Sequence, residues 1–200
     1  MKHHLLVFLT PVLIAGLFQA CNEPTSTQPA GSHPPLPSPG LTPVHLAVGN
    51  TYNWWLTRMT GTGTWLQWRE FSTITDDTTL LGRIYYIFDS GERLRSAGDT
   101  VFAFLQDTPS VYYRFDVSVG DSIPFMGSTC RVTAIDTQTV LGDTQVVVSV
   151  FNLTVGSNLT SGRYASRFGV IRIDTRESLS VTTRSLQGAR LGNWTFGVMP

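Results

Sequence analysis

The chain's 200 residues suit one domain of ordinary size, and its 14 acidic and 14 basic side chains exclude the strongly basic surface typical of nucleic-acid-binding proteins. Its only lysine is Lys2, and its four histidines are His3, His4, His33 and His45. Schiff-base chemistry on a lysine is therefore excluded beyond residue 2, and His-dependent nucleophilic catalysis or a zinc site in the body of the chain would have to use His45.

Residues 1–20 have the organisation of an export signal. Lys2 precedes an apolar run at residues 5–18, which is shorter than the about 20 residues of a membrane-spanning helix. Residues 17–21, Leu-Phe-Gln-Ala-Cys, resemble the lipobox of bacterial lipoproteins. This resemblance implies cleavage before Cys21 and palmitate-type acylation of that cysteine. The alternative is an ordinary signal peptide followed by an incidental cysteine.

Residues 21–44 are predicted to be a lipidated cysteine followed by a tether. Seven of the chain's eleven prolines fall here, with Ser, Thr, Gly and Gln between them. Such a segment cannot build a core and samples extended conformations. It would hold a single domain, residues 45–200, away from a membrane. Asn22, where Asp would favour the inner membrane, indicates an outer-membrane lipoprotein of the cell envelope and leaves the leaflet open.

The predicted domain has the composition of a β protein. Thr, Val, Ile and aromatic residues are abundant beyond residue 44, and no stretch sustains a helical period. Turn signals such as Ser161-Gly162 separate the apolar runs, and Asp76-Asp77 is assigned to a loop. We predict about ten strands, at residues 51–59, 64–75, 79–89, 92–97, 101–106, 111–117, 129–139, 144–154, 164–174 and 178–186.

An antiparallel meander of that many strands must close or split into two sheets. We favour a barrel that resembles a lipocalin over a β-sandwich. Within residues 111–117, strict alternation places Tyr113 and Phe115 on a buried face and Tyr112 on the solvent face with Arg114.

Cys130 is the only cysteine left once Cys21 is assigned to lipid, so the domain is expected to contain no disulfide. It lies in a strand-like stretch, and free cysteine is among the most buried residue types. We predict a buried, structural thiol.

Four stretches together resemble a group of uncharacterised, secreted and lipid-anchored bacterial proteins. They are residues 46–50 (LAVGN) leading into Trp54 and Trp55, 113–121 (YRFDVSVGD), 167–171 (RFGVI) and 187–192 (QGARLG). The resemblance implies an exported all-β domain. It implies no catalytic residue, because members of the group have no established activity.

The densest aromatic cluster lies in the first predicted hairpin and supplies the candidate ligand-binding residues. These are Tyr52, Trp54, Trp55, Trp65 and Trp68. Alternation puts Tyr52 and Trp54 on one face and Trp55 on the other. The aromatic rings either pack in the core or form a platform for a sugar ring or a wall for an apolar ligand.

These observations favour a noncatalytic, lipid-anchored domain that binds a glycan, an apolar ligand or an envelope protein. We expect no cofactor, no metal site, no catalytic residue and no nucleic-acid partner. One alternative is a structural or adhesive surface module. A less favoured alternative is a glycoside hydrolase that uses Glu70, which lies in the aromatic hairpin but has no identifiable second carboxyl.

Overall fold

The protein is described by a computed structural model that covers residues 44–199. The predicted signal, Cys21 and residues 22–43 of the tether lie outside the described residues. The described chain forms antiparallel strands and contains no helix. The strands are β1 (Thr51–Met59), β2 (Trp65–Leu80), β3 (Arg83–Phe88), β4 (Arg93–Ala97), β5 (Thr100–Leu105), β6 (Thr108–Arg114), β7 (Ser122–Phe125), β8 (Ser128–Val140), β9 (Asp143–Asn152), β10 (Leu159–Ala165), β11 (Gly169–Glu177), β12 (Ser180–Leu191) and β13 (Trp194–Gly197).

The strands form a nearly closed barrel with meander connections. Each strand pairs with the next from β1 to β6 and again from β7 to β12, while β1 pairs with β12. The short β13 folds back on β12. The predicted all-β class, antiparallel meander and barrel are therefore confirmed. Residues 44–199 include no helix long and apolar enough to cross a membrane.

The barrel is incomplete between β6 and β7, which do not form a ladder. The backbone N–H of Met126, just after β7, donates to the carbonyl of Tyr112 in β6 at 2.9 Å. Pro109 lies in β6 and Pro124 in β7. Proline has no N–H and is tolerated in a sheet mainly at edges, so the two prolines oppose continuous pairing at this seam.

The predicted count of about ten strands is too low, because β7, β10 and β13 were not anticipated. Ser161-Gly162 was predicted to be a turn, although both residues lie within β10, which pairs with β11. A Cβ at position 162 would overlap the ring of Phe125. Gly162 therefore marks a close approach inside the barrel rather than a turn.

The placement of Asp76-Asp77 in a loop was also wrong. Both residues lie inside β2, which pairs with β1 as far as Thr73 and with β3 from Ile74 onward. A register shift between Ile74 and Asp76 accompanies this exchange of partners. Local bulges of this kind bend a strand and increase its twist, and such bending helps to close a sheet into a barrel.

The predicted solvent exposure of Tyr112 was wrong for a related reason. The pairing of β5 with β6 shifts between Val101 and Phe102, so that Val101 opposes Tyr113 and Phe102 opposes Val111. The extra residue is Tyr112, and both tyrosines are buried. A bulge places two consecutive side chains where alternation allows only one.

Aromatic rings fill one part of the barrel interior. Tyr164 lies 4.8 Å from Tyr113, 5.1 Å from Phe115 and 5.6 Å from Phe125, measured between ring centroids. The Tyr164 hydroxyl donates to the carbonyl of Arg114 at 2.6 Å, which satisfies its polar end. Cys130 belongs to the same cluster and is fully buried, as predicted. A second buried cluster, which includes Trp54, Phe168 and Leu186, fills another part.

Candidate functional site

A cavity of about 320 Å³ lies inside the barrel and opens to solvent. Its wall includes residues of β1, β2, β3, β4, β6, β11, β12 and the turn between β3 and β4, so it exists only when the sheet curls round on itself. Cavities of this size at barrel mouths are typical of small-molecule sites.

Most of the cavity wall is apolar. Trp54 and Phe168 belong to one core cluster and Leu94 to the other, so both clusters contribute to the wall. Phe88 and Ile173 complete this surface. Such a wall favours binding of an apolar group, because moving that group out of water gains about 25 cal/mol for each Å² of apolar surface buried.

The segment at residues 44–50 contributes to the same wall before β1 begins. Val44 and Leu46 are buried and line the cavity. The fully buried Asn50 holds this segment in place, because its Nδ2 donates to the carbonyl of His45 at 2.8 Å. Its Oδ1 accepts the N–H of Gly192 at 2.9 Å. One side chain thus ties the start of the described chain to the end of β12.

Arg184 forms the basic part of the polar wall. Its Nη2 lies 2.7 Å from Glu70 Oε1 and 2.9 Å from Ser72 Oγ. Its guanidinium carbon lies 4.4 Å from the centroid of the Trp54 ring, which is within the range of a cation–π interaction. These three contacts fix the plane of the guanidinium at the cavity surface.

Glu92 and Tyr112 form the second polar pair. The Tyr112 hydroxyl donates to Glu92 Oε1 at 2.5 Å. Burial raises the pKa of Glu92, although the hydrogen bond from Tyr112 and the charge of Arg184 oppose this shift. Burial, together with the neighbouring carboxylate, raises the pKa of Tyr112 well above its ordinary value. Tyr112 therefore stays a neutral donor at physiological pH.

The five predicted ligand-binding residues occupy different places. Tyr52 and Trp54 line the cavity, and both are buried. Trp55 points to the outer surface, where the Arg69 guanidinium lies 5.9 Å from its ring centroid. Trp68 shares the inner face of β2 with Glu70 but is exposed beyond the cavity wall, and Trp65 is exposed at the hairpin tip.

Glu70, the candidate catalytic carboxyl, is engaged in the ion pair with Arg184. Glu92 is a second glutamate on the same cavity wall, but its carboxyl accepts the hydrogen bond from Tyr112. Among residues 44–199, no three His, Cys, Asp or Glu side chains come together in a way that could hold a metal ion.

Sequence reasoning missed Arg184, Glu92 and Tyr112 as parts of one site. Arg184 stands two residues before Leu186, and both lie on the inner face of β12. This alternation of an arginine with a buried leucine could have indicated an inward-facing charge. Glu92 follows a tight turn and resembles an ordinary solvated turn residue, so the sequence contains no comparable signal for it.

Neither a protein-family model nor a curated protein matches the chain. Solved structures similar to it include a protein from Bacteroides fragilis that is described as exported and as having a YmcC-like fold. That match has 10% identity and a TM-score of 0.36, and it covers 76% of this chain and 99% of the other.

Two further similar structures have TM-scores of 0.23 and 0.21. One is a LolA superfamily protein from Nitrosomonas europaea, with 8% identity over 74% of this chain and 87% of the other. The second is described as an outer membrane lipoprotein-sorting protein domain from Vibrio parahaemolyticus, with 11% identity over 73% and 86%. Likenesses this low do not identify a ligand, which has to be inferred from the chain's own residues.

Proposed function

We propose that this protein is a noncatalytic binding protein of the bacterial cell envelope that holds a small amphipathic or apolar molecule in its barrel. The observation that carries the proposal is the cavity of about 320 Å³, whose apolar wall is interrupted by one cluster of polar groups. This division between an apolar surface and a few convergent polar groups is characteristic of small-molecule sites.

The expected anchor fits this role. Acylation of Cys21 would fix the protein to a membrane, with outer-membrane placement favoured, and residues 22–43 would let the barrel move above its surface. Val44, the first described residue, lines the cavity. The tether would therefore join the barrel beside its binding site.

The proposal is tested with N-phenyl-1-naphthylamine, an uncharged fluorophore that brightens in apolar surroundings. Purified protein carrying Cys21→Ser is used, so that no acyl chain of its own competes for the cavity. We expect saturable fluorescence enhancement with one site for each chain. Absence of saturable binding would contradict the proposal.

A matched pair of variants locates the bound fluorophore. Leu94 is buried on the cavity wall, whereas its neighbour Arg93 is exposed on the opposite face of β4. Leu94→Trp should fill the cavity and weaken binding by about tenfold, as expected for about 1.4 kcal/mol. Arg93→Trp adds the same ring outside and should bind as tightly as the parent. Equal binding by both variants would place the fluorophore elsewhere.

A second candidate function, a surface module that binds an envelope protein, is favoured by one observation. The tip patch, formed by Met59, Trp65, Leu179 and Val181, is apolar and exposed. Met59 pairs with both Trp65 and Val181, so three of its members lie side by side across adjacent strands. Exposed apolar patches of this kind often mark protein contacts.

The surface-module function predicts specific contact at the tip patch in intact envelopes. A photo-crosslinking residue at position 65 should capture one defined partner. The same residue in place of Arg83, which is exposed at the start of β3, should not. Identical crosslinking patterns from the two positions would argue against this function. The cavity experiments do not depend on the result.

A further inference from the structure

Arg184 keeps unused hydrogen-bond donors on the cavity wall. A guanidinium has five N–H groups. In Arg184, Nη2 donates to Glu70 and Ser72, and Nε is buried without a partner among the described residues. The two N–H groups of Nη1 donate to no group in residues 44–199. Because the side chain lines the cavity and is 28% exposed, Nη1 can donate to a bound molecule.

The guanidinium is held in place before any ligand arrives. Glu70 and Ser72 bind one end, and the Trp54 ring lies against its face. A donor fixed in this way loses little conformational entropy when it binds an acceptor. The position of Arg184 therefore marks where an acceptor atom of the ligand belongs.

The other charges on the wall restrict the ligand's own charge. Three carboxyl groups, those of Glu70, Asp89 and Glu92, line the cavity with Arg184 as the only cation among the described lining residues. An anionic head group would face this excess of carboxyl groups. A quaternary ammonium head group would face the guanidinium and offer it no acceptor. Carboxylate oxygens on the same wall can instead accept hydrogen bonds from hydroxyl groups.

We propose that the cavity selects an uncharged amphiphile with a hydroxylated head group, as found in a monoacylglycerol. Its apolar chain would lie against Phe88, Leu94, Phe168 and Ile173. Its head group would accept hydrogen bonds from Arg184 and donate hydroxyl protons to the carboxylates. This inference rests on the proposed binding function and specifies its ligand class.

Three competitors with the same twelve-carbon chain test the inference. Monododecanoylglycerol, dodecanoate and dodecyltrimethylammonium, each below its micellar concentration, are used to displace N-phenyl-1-naphthylamine from the Cys21→Ser protein. We expect monododecanoylglycerol to bind about tenfold more tightly than either charged competitor, because the carboxyl groups on the wall repel dodecanoate and dodecyltrimethylammonium offers Arg184 no acceptor. Equal or tighter binding of a charged competitor would overturn the inference while the binding function stands.

Arg184→Gln tests the assigned donor. It should weaken monododecanoylglycerol about tenfold more than it weakens the fluorophore, because only the former uses Nη1. Arg190→Gln, at an exposed position of the same strand, is the control and should change neither affinity. An equal loss for both molecules in Arg184→Gln would mean that Arg184 only supports the barrel. A parent protein that fails to bind the fluorophore would refute the binding function itself.

Discussion

The Tyr112 hydroxyl donates to Glu92 Oε1 at 2.5 Å, and both groups lie on the wall of the same cavity. The bond joins the bulge in β6 to the turn before β4, which are 20 residues apart in sequence. It depends on the β5–β6 register shift that turns Tyr112 inward. Glu92 is therefore partly removed from water and left with one strong donor.

Glu92→Gln is expected to stabilise the protein at neutral pH. Burial raises the pKa of Glu92 above its ordinary value of 4.5, so the folded state favours the uncharged carboxyl. The stability that this uncharged form contributes is complete below pH 4.5 and is lost as pH rises through the folded-state pKa. The amide oxygen of Gln can still accept from Tyr112 and carries no charge. Thermal unfolding should show a higher Tm for Glu92→Gln at pH 7 and no difference from the parent below about pH 4.

The control for this change is Glu177→Gln, because Glu177 is exposed at the end of β11 and its ion pair with Arg58 spans 3.7 Å. Exposed ion pairs contribute little, so its Tm should follow the parent at both pH values. A Glu92→Gln protein that is less stable than the parent at pH 7 would mean that ionised Glu92 is favourably held.

Asn50→Ala is expected to destabilise the protein and loosen the cavity wall. It leaves the carbonyl of His45 and the N–H of Gly192 without their present partner. Each of these hydrogen bonds is expected to contribute about 1 kcal/mol net, so urea denaturation should show a loss of about 2 kcal/mol. Binding of N-phenyl-1-naphthylamine should weaken too, because Val44 and Leu46 lose their attachment.

Asn50→Asp separates the two hydrogen bonds. Aspartate can still accept from Gly192 but cannot donate to His45. Because the site is fully buried, an unpaired carboxylate there is costly, so its loss of stability at pH 7 should exceed that of Asn50→Ala. Equal stability of the parent and Asn50→Ala would show that the segment at residues 44–50 is held by its apolar contacts alone.

Gly162→Ala is expected to strain the aromatic cluster. The new methyl group would overlap the ring of Phe125, which is fully buried and cannot move into solvent. Overpacking of this kind costs about 1–3 kcal/mol of unfolding free energy. Phe125→Leu makes room, so the double variant should be more stable than the sum of the two single changes predicts. Strict additivity would place the strain elsewhere.

Cys130 is expected to be unreactive in the folded protein. It is fully buried, and burial raises its pKa to about 11, so almost none of it is thiolate at pH 8. Cys21→Ser protein treated with Ellman's reagent at pH 8 should release no thionitrobenzoate until urea unfolds it. Rapid stoichiometric reaction without urea would show that the β8 face of the barrel opens to solvent.

Alternation of apolar and polar residues allowed much of the fold to be predicted from the sequence. The bounds of β1, residues 51–59, were predicted correctly, as were the all-β class, the meander and the burial of Cys130. These features depend on local composition, on turn residues and on a period of two, all of which can be read along the chain. Acylation of Cys21 stays a prediction, because it falls outside the described residues.

Only the tertiary structure could place the cavity and its polar wall. Arg184 meets Glu70 across 114 residues of sequence, and that contact depends on closure of the barrel between β1 and β12. Tyr112 turns inward because one extra residue in β6 breaks the period of two. Alternation assigns a side chain to a face within one regular strand, whereas bulges and barrel closure decide which faces meet, and these arise from long-range pairing.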